Sequence, residues 1–354
     1  MRGNWKNSGF AIAAIVVGVV VFLFGAAISN RAFLFLLDGL VIIGLAKVIG
    51  SSTERLSKRI GSVPGALLGI TFGNSVELIL SLFALHEGLF AVVKASIIGG
   101  VLANLLLTLG VSMMIGGGAK GVQQFSRRRA GMNSAMLFVA VIGLTTASIF
   151  SFLRFRESGT ESLSIGVAAV FLVVYIGGFL FSFLTHRSFV SNFAEDDDQP
   201  ADQLPMMPDI LMLVAATIDV AFVSDQLVSS IQVVASQLKL TEQFIGLVFL
   251  PLIGIAPEFL TAVIFARKGK MEGSVEIAVG SSLQISLFVA PLMVIVGLLM
   301  GKTLTLVFTP AQVVVLFLST VLVNIVSLDG ETHWFEGVMV VATYVIFALM
   351  FFFA

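Results

Sequence analysis

The chain has 354 residues, of which 58% are hydrophobic and only 12% charged, more apolar surface than a soluble domain can use, so it reads as a polytopic membrane protein. A net charge of −1 excludes a general basic field for nucleic acid. Cysteine is absent, which excludes disulfides and thiolate metal sites, and His86, His186 and His333 each fall near an expected loop, which argues against a buried zinc or haem centre.

Apolar runs long enough to cross a bilayer lie near 9–28, 32–49, 61–85, 88–115, 130–152, 163–185, 208–230, 242–266, 271–298, 305–326 and 335–353, eleven in all. The first is too long for a signal peptide and is followed at once by a second, so it is retained as a helix. Thirteen Lys and Arg fall in the loops on the N-terminal side and five on the other, which sets the N-terminus in the cytoplasm and the C-terminus outside. The expected location is a prokaryotic cell membrane, or a vacuolar-type membrane in a eukaryotic cell.

The second span ends in Thr53-Glu54 and the seventh carries Ser224-Asp225, polar pairs that fit helix-end solvation or a gate. In the third span, Gly73-Asn74-Ser75-Val76-Glu77-Leu78 puts a carboxylate where charge costs roughly 2.5–3.5 kcal/mol or more. The same Gly-x-x-x-Glu spacing returns in the eighth span at Gly254-Ile255-Ala256-Pro257-Glu258-Phe259. Setting Gly73 on Gly254 without gaps also sets Gly88 on Gly269 and Gly99 on Gly280, while the Thr53 and Ser224 pairs need a different offset. Corresponding spans lie five apart, an odd number, so the halves must be inverted, as in many secondary transporters. The expected plan is an all-α membrane protein with an N-terminal helix (1–30), a first repeat (31–185), an acidic cytoplasmic linker (186–208) and a second repeat (209–354). Within the linker, Glu195, Asp196, Asp197 and Asp198 fit a solvated connection and also a collector that concentrates cations.

Pro251, Gly254 and Pro257 in one repeat, and Gly69 and Gly73 in the other, should break or kink their helices. Backbone carbonyls freed at depth survive only if something satisfies them, and a hard cation would. Glu77, Glu258, the Asn74 amide and freed carbonyls make an all-oxygen shell suited to calcium. The bland alternative is a pair of protonated structural acids, and matching positions beside helix breakers weigh against it. Two stripes follow at every fourth residue: Ser96, Gly100, Asn104 and Thr108, which small-residue packing also explains, and Glu272, Glu276, Gly280 and Gln284. Glu276 and Gln284 are costly to bury without a role. No His-Glu-x-x-His motif and no Ser/His pair at depth suggests an enzyme. A passive channel fits poorly, because a paired-carboxylate trap binds tightly whereas conduction needs weak sites.

Taken together, Gly73–Leu85 (GNSVELILSLFAL), Val275–Pro291 (VEIAVGSSLQISLFVAP) and Asp329–Gly337 (DGETHWFEG) resemble the cation/calcium exchanger superfamily, most closely its calcium/proton antiporter branch. The resemblance implies a secondary antiporter moving calcium out of the cytoplasm against protons, with Glu77 and Glu258 as the metal-binding carboxylates and Ser281 among the site residues beside Gln284. Calcium is then transported substrate, no cofactor is expected, and the partners are Ca2+, H+ and the lipid bilayer. The chain departs from that branch at Ile255 and Phe259, where an amide and an imidazole are usual. The Pro257-Glu258 pair looks more like the sodium/calcium branch, which keeps sodium/calcium or other cation exchange as the alternative.

Overall fold

The computed structural model describes residues 2–25, 27–153, 159–181 and 206–354. It is helical almost throughout. In chain order the helices are α1 (Arg2–Gly25), α2 (Arg31–Ile60), α3 (Ser62–Gly73), α4 (Ser75–His86), α5 (Phe90–Lys120), α6 (Arg127–Phe152), α7 (Thr160–Leu180), α8 (Met207–Leu238), α9 (Glu242–Gly254), α10 (Ala256–Arg267), α11 (Met271–Leu299), α12 (Pro310–Val326) and α13 (Trp334–Phe353).

Seven of these, α2, α5, α6, α7, α8, α11 and α13, are long and apolar enough to cross a bilayer unaided. Two further spans are broken. The pair ending in α4 bends by 48° at Asn74, and α9 and α10 meet at 57° at Ile255. Two shorter apolar helices, Gly9–Gly25 and Pro310–Val326, complete the described bundle. Large apolar side chains such as Leu40, Ile142 and Val173 point outward, which is unfavourable in water and natural against lipid tails.

Helix ends follow local chemistry. Asn30 caps α2 by accepting from the Phe33 N–H at 3.1 Å, and Lys58 and Arg59 sit in its last turn, where the helix dipole favours cations. Thr309 and Gln312 close a reciprocal capping box on α12, with Pro310 in its first turn.

Helices α5 and α11 form the middle of the bundle: 72% and 61% of their apolar windows are buried, against 17% for α7. Both widen to a single π turn, at Ala103–Thr108 and Ile285–Val289. The shift that sets Gly73 on Gly254 carries residues 103–108 onto 284–289, so the two halves repeat this irregularity as well as the glutamates. Around this centre α2 and α8 make the most extensive helix pair, running antiparallel. Asp209, in the first turn of α8, holds Arg55 at 2.6 Å and Arg59 at 3.3 Å near the end of α2.

Two features depart from the sequence expectation. The tenth span does not begin at 305: residues 303–308 are not helical, with Leu304, Leu306 and Phe308 buried. Pro310 restricts the residue before it to extended backbone, so the helix cannot start earlier. The buried backbone amides this frees are met by side chains: Leu306 N–H donates to Ser164 Oγ at 3.0 Å and Phe308 N–H to Ser148 Oγ at 2.8 Å. The fold is also not wholly helical. Gln123–Gln124 and Glu331–Thr332 pair as a two-residue antiparallel ladder that ties the α5–α6 loop to the α12–α13 loop. Other loop contacts, Lys302 with the His86 carbonyl and Arg129 with Glu272, likewise join segments that the span order assigns to one side.

Candidate cation-binding site

The two breaks place the two glutamates alike. Glu77 lies in the first turn of α4 and Glu258 in the first turn of α10, each at a helix N-terminus, where unpaired N–H groups favour negative charge. Glu77 is 9% exposed and neither carboxyl oxygen has a hydrogen-bond partner among the described residues. Glu258 is half-buried, its Oε2 is shut off from solvent without a partner, and it lies within electrostatic reach of Glu77. Asn74, at the first break, is 3% exposed with both side-chain polar atoms unpartnered.

Glycine at the breaks lets the halves interlock. A Cβ at Gly254 would stand 2.7 Å from Glu77 Cγ, 2.9 Å from Cδ and 3.0 Å from Oε1, so the Glu77 side chain lies directly on the second break. In return the Gln284 side chain reaches Gly73, with Oε1 3.7 Å and Nε2 3.9 Å from the position a Cβ would take. Asn104 is fully buried on the π turn of α5, its amide unpartnered, and that turn packs against α10 and α11. A cavity lined by Glu77, Ser81, Ser96, Pro251 and Ile285 opens beside the carboxylate, with Ser81 and Ser96 hydroxyls 3.4 Å apart. Buried carboxylate and amide oxygens without protein partners are what a hard cation with six to eight oxygen ligands would use.

Other expected residues lie elsewhere. Glu276 is two turns, about 12 Å, before Gln284 along α11. It faces Arg129 at 3.5 Å, and Arg129 also holds Glu272 at 3.3 Å. The structure therefore does not bring Glu276 to the Glu77–Glu258 pair. The three residues line a second small cavity with Ser126 and Asn133. Ser281, half-buried, precedes Gln284 by one turn. Glu54 is exposed and paired with Lys58 at 2.9 Å, Asp225 is half-buried, and the neighbouring Thr53 and Ser224 hydroxyls are buried without partners. Asp196, Asp197 and Asp198 lie outside the described residues, as does nearly all of the linker. Sequence reading missed Asp38 and Asp219, buried carboxylates on α2 and α8. The offset that aligns the glutamates also aligns these two, but the competing Thr53/Ser224 alignment hid it.

Comparison with known proteins agrees with this architecture. The model of the sodium/calcium exchanger protein family matches residues 30–184 and 209–353, one block on each side of the linker. The Ca(2+)/H(+) antiporter ChaA of Bacillus subtilis is 38% identical over 342 residues, covering 96% of this chain and 97% of that protein. A Ca(2+)/H(+) antiporter of Aphanothece halophytica is 40% identical over 340 residues, 92% of this chain and 91% of the relative. The solved structure of native YfkE superposes with a TM-score of 0.82 at 36% identity, over 98% of this chain and 99% of that one. The chain belongs to the sodium/calcium exchanger protein family, on the branch represented by calcium/proton antiporters.

Proposed function

We propose that this integral membrane protein is a secondary antiporter, not an enzyme, that exchanges Ca2+ for H+ by alternating access, with Glu77 and Glu258 as the shared site. The observation that carries the reading is the Glu77 carboxyl, buried without a hydrogen-bond partner and laid against the break that presents Glu258. Its relatives' activity supports the choice of ions.

Two like charges resist sharing a dry site, so the empty site holds protons and is nearly neutral. A neutral site can reorient across the bilayer at low cost. Calcium reverses the balance by stabilising both carboxylates as anions and expelling their protons. Asn74, Asn104, Gln284 and Ser281 would add oxygens, with Glu276 a more distant station on the path. Protons and calcium then compete for the same oxygens and exchange needs no separate relay. This matters here because Phe259 and Ile255 supply neither imidazole nor amide. Two protons per calcium is the minimum, and the titrations belong to the pair.

Alternation would come from α2 and α8 sliding along the core, with Glu54 and Asp225 toward opposite faces. The N-terminus is cytoplasmic in this reading, and Asp196, Asp197 and Asp198 gather cations at the inner mouth. In proteoliposomes, an imposed pH gradient should drive calcium uphill, and Glu77→Gln or Glu258→Gln should abolish it, since an amide cannot carry the exchanged proton. Uphill flux in either variant at near wild-type rate would overturn the competing-carboxylate mechanism. Calcium accumulation driven by a sodium gradient but not by a pH gradient would instead select the sodium/calcium alternative.

A further inference from the structure

We propose that Asp38 on α2 and Asp219 on α8 are two proton-binding sites separate from the Glu77–Glu258 pair, one toward each face of the membrane. Their role in transport rests on the reading of α2 and α8 as the moving helices. Among the described residues, Asp38 is fully buried with no hydrogen-bond partner for either carboxyl oxygen, and Asp219 is 4% exposed with none for its Oδ2. A carboxylate held this way among apolar side chains would cost several kcal/mol, whereas a carboxylic acid costs far less.

The two acids are related by the same shift of 181 residues that relates Glu77 to Glu258. They sit on helices that run antiparallel, about 10 Å past the start of α2 and about 18 Å past the start of α8, so Asp38 is nearer the face where α2 starts and Asp219 nearer the other face, where α8 starts. The fold makes room for Asp219. Its carboxyl lies against Gly18 of α1, where any Cβ would collide with it. Beside Asp38, Gly39 lets Ile253, next to the second break, approach to 2.9 Å from a notional Cβ.

Among the described residues no hydrogen bond reaches Asp38 or the buried Oδ2 of Asp219. On the helices packed against α2 and α8, Asp209 engages Arg55 and Arg59, Lys47 lies 4.8 Å from the centre of the Phe10 ring, and Glu54 pairs with Lys58. The other titratable groups on those elements include Arg31, Glu242, His86 and Arg267 near helix ends, Asp225 in the middle of α8, and the central glutamates. None of them bonds Asp38 or the buried oxygen of Asp219. When either helix slides, its acid meets water on its own side and can release its proton there. Low pH on one side would then favour the conformation in which that side's acid is buried, which makes the conformational equilibrium itself responsive to pH.

The test uses the full chain in lipid. In an E77Q/E258Q background at neutral pH, infrared spectra should show a protonated-carboxyl stretching band. D38N and D219N should each remove a component that calcium leaves untouched, and D38E or D219E should keep it. In proteoliposomes the otherwise wild-type D38N/D219N variant should still perform calcium–calcium counterflow, which needs no proton. Its pH profile for coupled uptake should shift by about one unit, a tenfold change in proton concentration. The proposal is overturned if neither substitution removes a band component, if the pH profiles superpose, or if counterflow is lost with coupled uptake. If the unmodified chain fails to exchange calcium for protons, the antiport reading fails, while the infrared arm still decides whether these two acids hold protons.

Discussion

Gly254→Ala should damage calcium binding far more than Gly73→Ala, although the two glycines occupy matching positions in the repeats. At Gly254 the added methyl would lie 2.7 Å from Glu77 Cγ and 2.9 Å from Cδ, so the side chain carrying the carboxylate has to move by several tenths of an ångström. The displaced atoms are near the root of the side chain and cannot swing clear as a flexible tip could. Calcium–oxygen distances tolerate only about 0.3 Å of variation, from 2.3 to 2.6 Å. Overpacking of this kind costs about 1–3 kcal/mol, and if it falls wholly on the bound state the apparent calcium affinity drops about 5- to 150-fold. At Gly73 the methyl would meet Gln284 at 3.7 and 3.9 Å, ordinary contact, and affinity should hold within about threefold, or 0.7 kcal/mol. The assay is the concentration dependence of initial calcium uptake into proteoliposomes under a fixed pH gradient, with thermal unfolding in detergent as a control on folding. Equal affinities for the two variants, or a greater loss at Gly73, would refute the placement of Glu77 on the second break.

Glu276→Gln should retain uphill calcium transport, because Glu276 faces Arg129 rather than the central pair; abolition comparable to that expected for Glu77→Gln would place it in the site after all. Ser148→Ala and Ser164→Ala each strand a buried backbone N–H of the non-helical segment before α12 and should cost about 1–3 kcal/mol, read as a lower melting temperature. An unchanged melting temperature in both would show that the segment finds other partners. Asp209→Asn should loosen the contact between the end of α2 and the start of α8 by about 1–3 kcal/mol, with a smaller difference at high salt. A larger loss at high salt would contradict the ion-pair origin.

Membrane class, the helical character of the long apolar runs and the two glutamates at matching positions were legible in the sequence because they are local properties. A 20-residue apolar run must be helical in a bilayer, since its backbone groups have no other partners, and a carboxylate inside one is visible against that background. Gly73 and Gly254 could be read as weak points of their helices for the same local reason. What the sequence could not determine was which groups meet. Glu276 and Gln284 share a stripe at helical spacing, yet two turns of separation send one to Arg129 and the other to Gly73. The non-helical segment before α12 looks apolar enough for a helix, and only the Ser148 and Ser164 hydroxyls, more than 140 residues away, allow it to stay unwound. Asp38 and Asp219 fall in spans whose apolar average conceals them; that Asp38 and one oxygen of Asp219 are buried without described partners follows from the packing of α1, α2 and α8 around them. Helix formation depends on neighbours along the chain, whereas the partner of a buried polar atom depends on distances across the bundle, and those are decided only when the helices pack.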